Sequence, residues 1–88
     1  MTSHSVEHDL MQEALGVVEL FTPRFTYDAN GNVEYLGLAE PGTADDTPGW
    51  MIRKIVYDAQ QRPVAIKFAD GSAEFGRVWS ACTSYTYL

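Results

Sequence analysis

Asn30-Gly31 sets the strongest local constraint in this chain. An Asn-Gly pair accepts the positive φ angles that a tight reversal demands and that most side chains resist. Arg24-Phe25-Thr26-Tyr27 and Val33-Glu34-Tyr35-Leu36 flank it, and both alternate large apolar with polar residues. That is the two-residue period of a strand, so the segment predicts a β-hairpin. The arrangement has an echo. Tyr27-Asp28-Ala29 precedes Asn-Gly-Asn-Val, and Tyr57-Asp58-Ala59 precedes Gln-Gln-Arg-Pro-Val. Each reads as strand, Tyr-Asp turn, strand, which predicts two similar hairpins packed in one small β unit.

The segments between and around these hairpins complete the outline. Glu40 to Gly49 carries two prolines, two glycines and the adjacent Asp45-Asp46, so it reads as a loop. Trp50 to Tyr57 and Pro63 to Ala69 read as strands, with Val64, Ile66 and Phe68 on one face of the second. Asp70-Gly71 signals another turn. Ser72 to Trp79 fits a short helical turn as well as a strand, because Phe75, Val78 and Trp79 suit both periods. Ser84 to Leu88 alternates and is expected to be tied into a sheet. At the other end Leu10, Met11, Ala14, Leu15, Val18 and Phe21 recur at helical spacing. Ser5 would cap that helix, and Glu7 and Asp9 suit its positive end. Gly16 weakens the pattern and Pro23 ends it, leaving a helix or arm over residues 1–22 and a β domain over 23–88.

A length of 88 residues suits one domain and is too short for two. A domain of this size buries only roughly 60–65% of the surface its unfolded chain exposes. Docking onto neighbours is therefore a natural supplement to its stability. The formal charge of -6 disfavours free-standing binding to phosphate-rich partners such as nucleic acid. Charge is also uneven along the chain: residues 1–23 hold four acids and no Lys or Arg, and residues 24–52 net -4. From Arg53 onward five bases face three acids, a polarity that suits head-to-tail packing between copies and equally an ordinary solvated surface. No apolar run approaches the ~18 residues of a membrane span, and the N-terminus lacks the order of a signal peptide. The single cysteine, Cys82, forbids an intrachain disulfide and fits a reducing compartment such as the cytoplasm.

No constellation of residues points to catalysis. Cys82 lies far in sequence from the only histidines, His4 and His8, so a buried or spectator thiol is expected. His4 and His8 stand four apart, as two zinc ligands on a helix would, but strong third and fourth donors are missing. Asp28, Asn30, Asn32 and Glu34 resemble the opening of a calcium loop. Such a loop needs Gly at its sixth position and Glu at its twelfth, where Val33 and Ala39 stand, and a hairpin explains the same residues. The glycines occupy turns rather than a phosphate-binding loop. The chain is thus expected to need no cofactor and no metal, and not to be an enzyme.

Aromatic side chains are the remaining resource. Most should fill the core, yet Trp and Tyr beside Arg also dominate protein interfaces. Trp50 with Arg53, Trp79 with Arg77, and the pair Tyr85 and Tyr87 are therefore the candidate partner-binding residues.

From Tyr35 onward the residues form a longer pattern. Tyr35-Leu36-Gly37-Leu38-Ala39-Glu40-Pro41-Gly42-Thr43 leads through a polar loop to Trp50-Met51-Ile52-Arg53-Lys54-Ile55. Phe68-Ala69-Asp70-Gly71, Phe75, Trp79 and Tyr85-Thr86-Tyr87 follow. Over residues 35–88 this resembles small structural proteins of tailed bacteriophages. One departure is the uncharged Trp79-Ser80-Ala81-Cys82-Thr83, where that pattern carries an acidic residue or Asn and then Arg. The resemblance implies a virion component, made in the host cytoplasm and present in many copies as a head decoration, neck or tail subunit. Its partners would be other virion proteins and copies of itself, with no direct nucleic acid and no membrane. The Tyr-Asp segments also look like the repeats of large bacterial shell-forming toxins, but such shells need many repeats to bury a continuous core. The expected fold is mainly β, a small antiparallel β-sandwich or barrel of about five or six strands with an N-terminal helix or arm. The alternative function is a soluble bacterial β-type protein-binding module.

Overall fold

Two copies of one turn organise the protein. The computed structural model describes residues 21–88, in which four strands form a single antiparallel sheet in the order β1-β2-β3-β4. The strands are β1 (Thr22–Tyr27), β2 (Val33–Ala39), β3 (Met51–Tyr57) and β4 (Pro63–Phe68). Both Tyr-Asp turns lie at the same end of this meander. In the first, Asp28 N–H donates to the Asn32 carbonyl and Gly31 N–H to the Asp28 carbonyl. Asp28 Oδ1 also accepts from the backbone N–H groups of Asn30 and Asn32. In the second, Asp58, Gln60, Gln61 and Arg62 repeat each of these bonds. Each β-bulge falls just before its turn, between Thr26 and Tyr27 and between Val56 and Tyr57. The expected hairpins are present, and the calcium-like carboxylate of Asp28 is occupied in capping its own turn.

The third turn residue takes a positive φ in both copies, +83° at Gly31 and 65° at Gln61. A side chain in this left-handed region costs about 1–2 kcal/mol. Gly31→Ala is therefore expected to destabilise the domain by about 1 kcal/mol. Gln61→Gly should instead gain a few tenths of a kcal/mol, as strain relief is offset by glycine's unfolded freedom. It also loses the 2.7 Å bond that Gln61 Oε1 accepts from Asn32 Nδ2 between the two turns. Urea titration of both variants checks this; shifts of the same sign would mean the turns work differently.

A lid takes the place of a second sheet. After β4 the chain runs irregularly to Arg77, pairs it with Trp50 in an antiparallel bridge, and enters a 3-10 turn over Trp79–Ser84. The turn kinks at Ala81, whose φ of -103° is not helical, and Trp79 and Cys82 on either side of the kink are both buried in the core. Tyr87 then bridges Ala69, and Leu88 exchanges backbone bonds with Phe68. The C-terminal segment is tied to the sheet, as its alternation implied. The fold is mainly antiparallel β, with four strands and two isolated bridges among the described residues rather than five or six strands. Among the described residues no strand pairs β1 with β4, so these four strands form an open sheet.

Pairing register sorts the side chains onto two faces. Arg24, Gly37 and Ile52 share one row of the first face, and Phe25, Leu36, Arg53 and Phe68 share one row of the second. The core lies on the first face, where Tyr35, Ala39, Trp50, Ile52 and Ala69 meet Trp79 and Cys82, with Tyr85 and Tyr87 packed alongside. The helix or arm expected over residues 1–22 lies outside the described residues apart from Phe21 and Thr22, and Thr22 already begins β1. His4 and His8 are outside them as well.

Candidate partner-binding surface

Five of the six candidate partner-binding residues come together, and they point inward. Trp50 is wholly buried and Trp79 is 8% exposed, with ring centroids 6.0 Å apart. Trp50 Nε1 donates to the Ala44 carbonyl at 3.0 Å. Tyr85 Oη accepts from Val78 N–H at 2.9 Å, and Tyr87 O–H donates to the Cys82 carbonyl at 2.6 Å. The Tyr87 ring packs 5.2 Å from that of Tyr35. Trp50, Tyr85 and Tyr87 each set their polar tip against a backbone partner within the chain. Large rings fill a small core, and Trp50 and Trp79 are part of it.

The arginines divide differently from their sequence neighbours. Trp50 and Arg53 are three apart on one strand, an odd separation that puts them on opposite faces. The cation over the Trp50 ring is instead Arg24, 5.3 Å from its centroid, and Arg24 Nε also meets Asp45 Oδ1 at 2.9 Å. Sequence reasoning missed Arg24, because only the β1-β2-β3 register brings it there. Arg77 bridges Trp50 through its backbone, and its Nε stands 3.2 Å from Asp70 Oδ2, at ion-pair distance but off hydrogen-bond angle. Arg77 thus clamps the lid to the sheet. Arg53 is half-buried on the second face.

The apolar surface that does face solvent lies elsewhere. Val64 is 61% and Ile66 38% exposed, side by side on one face of the outer strand β4. Tyr27 and Phe75 are exposed too, and exposed Leu88 lies beside Phe68 at the end of β4. The alternation of Val64, Ile66 and Phe68 was visible in the sequence as an apolar face. That β4 would be an edge strand was not.

Among the described residues no group of three or more His, Cys, Asp or Glu side chains gathers to hold a metal. An open cleft of about 430 Å³ is lined by Phe21, Glu40, Thr43, Pro48, Gly49 and Phe75, and Glu40 is the one ionisable group among these described residues. No helix among the described residues is long and apolar enough to cross a membrane.

Burial does shape how the lid titrates. It pushes the Tyr87 hydroxyl well above its ordinary value and raises Tyr35 and the Cys82 thiol as well. A raised pKa on an acid means the folded chain holds a proton that the unfolded chain releases. Stability is therefore complete below the ordinary thiol and phenol values and falls as pH climbs past them, by at most about 1.4 kcal/mol per pH unit per group. Urea midpoints should decline from about pH 9 upward, and less steeply in Tyr87→Phe. A flat profile to about pH 11 would mean these groups are not buried as described. Comparison with protein-family models, curated proteins and solved structures finds no match to this chain.

Proposed function

We propose that this chain is a structural component of a tailed-phage virion and works through protein–protein contact. The observation that carries the reading is the β4 margin, an edge strand among the described residues that Leu88 pairs only at Phe68 and that leaves Val64 and Ile66 exposed on a domain of minimal size. Exposed apolar edges are templates for another chain, and proteins that leave them open commonly use them. Two further features support it. The residues that resemble phage structural proteins are spread over β2, β3 and the lid, yet they converge on one packed unit around Trp50, Trp79 and Tyr87. Charge differs along the chain, net negative to Ile52 and net positive from Arg53, which suits like copies meeting head to tail.

In this reading Val64 and Ile66 form the contact, while Trp50, Trp79, Tyr85, Tyr87 and Arg77 hold the surface rigid behind it. Neighbouring genes should include those for portal, capsid or tail proteins, and the purified chain should bind one of their products. Val64→Lys with Ile66→Glu should abolish that binding while leaving the circular dichroism spectrum intact. A chain that stays monomeric and binds no virion protein would defeat the proposal. The same margin would serve a bacterial protein-binding module, and gene neighbours without virion functions would favour that reading instead.

A further inference from the structure

Among the described residues the outer edge of β4 is occupied at one end and open along the rest. Phe68 N–H donates to the Leu88 carbonyl and Leu88 N–H to the Phe68 carbonyl, both at 3.1 Å. Phe68 therefore turns its backbone groups away from β3, whereas Ala69 N–H turns inward to the Ile52 carbonyl. Alternation along an antiparallel strand sends the N–H and C=O of Ile66 outward as well. No backbone group among the described residues pairs with them there. The register shift opposite Tyr57 ends the regular ladder beside Val64, so the open stretch is short, from Val64 to Lys67.

Charge narrows what can pair there. Lys54 and Lys67 stand directly opposite each other in the β3-β4 register, on the first face of the sheet. Like charges in that position repel. Lys54 lies over the Tyr35 ring, 5.7 Å from its centroid, and Lys67 is exposed. Among the described residues neither lysine makes an ion pair with a carboxylate. A second copy could offer its own edge strands, β1 and β4, but these carry Arg24 and Lys67 and no acid. A lysine on an edge keeps such strands apart. A strand that brings a carboxylate to Lys67 relieves the repulsion instead.

We propose that the β4 edge takes an extended segment of another protein, paired antiparallel to β4. That segment places an acidic residue opposite Lys67 and aliphatic residues opposite Ile66 and Val64. The inference rests on the reading of the β4 margin as a contact surface and adds the chemistry of the partner. Main-chain bonds at Ile66 hold the segment, which continues the line along β4 that Tyr87 and Leu88 begin. Its aliphatic side chains widen the apolar strip of Val64 and Ile66 on the second face, and its carboxylate sits by Lys67 on the first.

Titration of the full chain with the peptide acetyl-Glu-Val-Thr-Val-Thr-amide, followed by amide NMR shifts, tests this. Saturable shifts at Ile66 and Val64 are expected at millimolar peptide. Replacing the peptide's Glu by Lys should weaken binding about fivefold, and Lys67→Glu in the protein should reverse the order of the two peptides. No saturable shift with either peptide, or equal binding of both, overturns the proposal. So does self-association that protects the Ile66 amide, which would give the edge to a second copy. A virion protein captured through Val64 and Ile66 while neither peptide binds overturns this inference and leaves the proposed function standing. Binding of the Glu peptide with no virion partner supports the inference and defeats the function.

Discussion

Trp50→Ala is expected to bring the domain to the edge of unfolding. The side chain is fully buried between Trp79, Ile52 and the Arg24 guanidinium, so its removal leaves a cavity that its neighbours cannot fill without moving. Truncating a buried Trp to Ala typically costs about 3–5 kcal/mol. A chain of this length has about 4–13 kcal/mol of stability in all, so most of the margin goes with one residue. The lost hydrogen bond adds little, because its acceptor, Ala44, is exposed and can turn to water. With a urea dependence of about 1–1.5 kcal/mol per molar for so small a domain, the midpoint should fall by about 3 M or vanish. Trp50→Phe retains most of the ring and should cost less than half as much. A shift under about 1 kcal/mol for Trp50→Ala would mean that Trp50 is not the centre of the core.

The fold was most legible in the sequence where structure is local. Asn30-Gly31 and the repeated Tyr-Asp segments encode both hairpins within a few residues, and the shared capping by Asp28 and Asp58 follows from that likeness. Legibility ended where long-range packing decides. β2 runs on through Gly37, Leu38 and Ala39, although a glycine inside a strand reads as a weak point. The stretch from Ser72 to Trp79 fitted two periods. Its outcome, a 3-10 turn that begins only at Trp79, depends on how Trp79 and Cys82 seat on the sheet.

The candidate site shows the same division. Composition alone singled out Trp50, Trp79, Tyr85 and Tyr87, and they do gather, but no local signal says whether rings gather to face a partner or a core. Strand periodicity could have separated Trp50 from Arg53, since an odd spacing always divides the faces. Finding Arg24 over Trp50 needs the register of three strands. The exposed Val64 and Ile66 needed the order of strands in the sheet, which makes β4 an edge.

Gly37→Ala is expected to be nearly as damaging as a core truncation, for the opposite reason. A Cβ at this position would stand 2.6 and 2.8 Å from two carbons of the Trp79 ring and 3.2 Å from Trp50. The ring has little room to retreat, because Trp79 starts the lid and Val78 beside it is pinned by Tyr85. Forcing a methyl into such a contact costs about 1–3 kcal/mol, against the fraction of a kcal/mol that alanine ordinarily gains over glycine in a strand. Gly76→Ala is the control: nothing stands within 4 Å of its Cβ, and its stability should hold or rise slightly. The decisive measurement is a double-mutant cycle with Trp79→Leu, which removes the ring and costs stability in its own right. In that background Gly37→Ala should lose its penalty, giving a coupling of at least about 1 kcal/mol. If the two effects simply add, the close approach of Trp79 to the β2 backbone is not what requires glycine here.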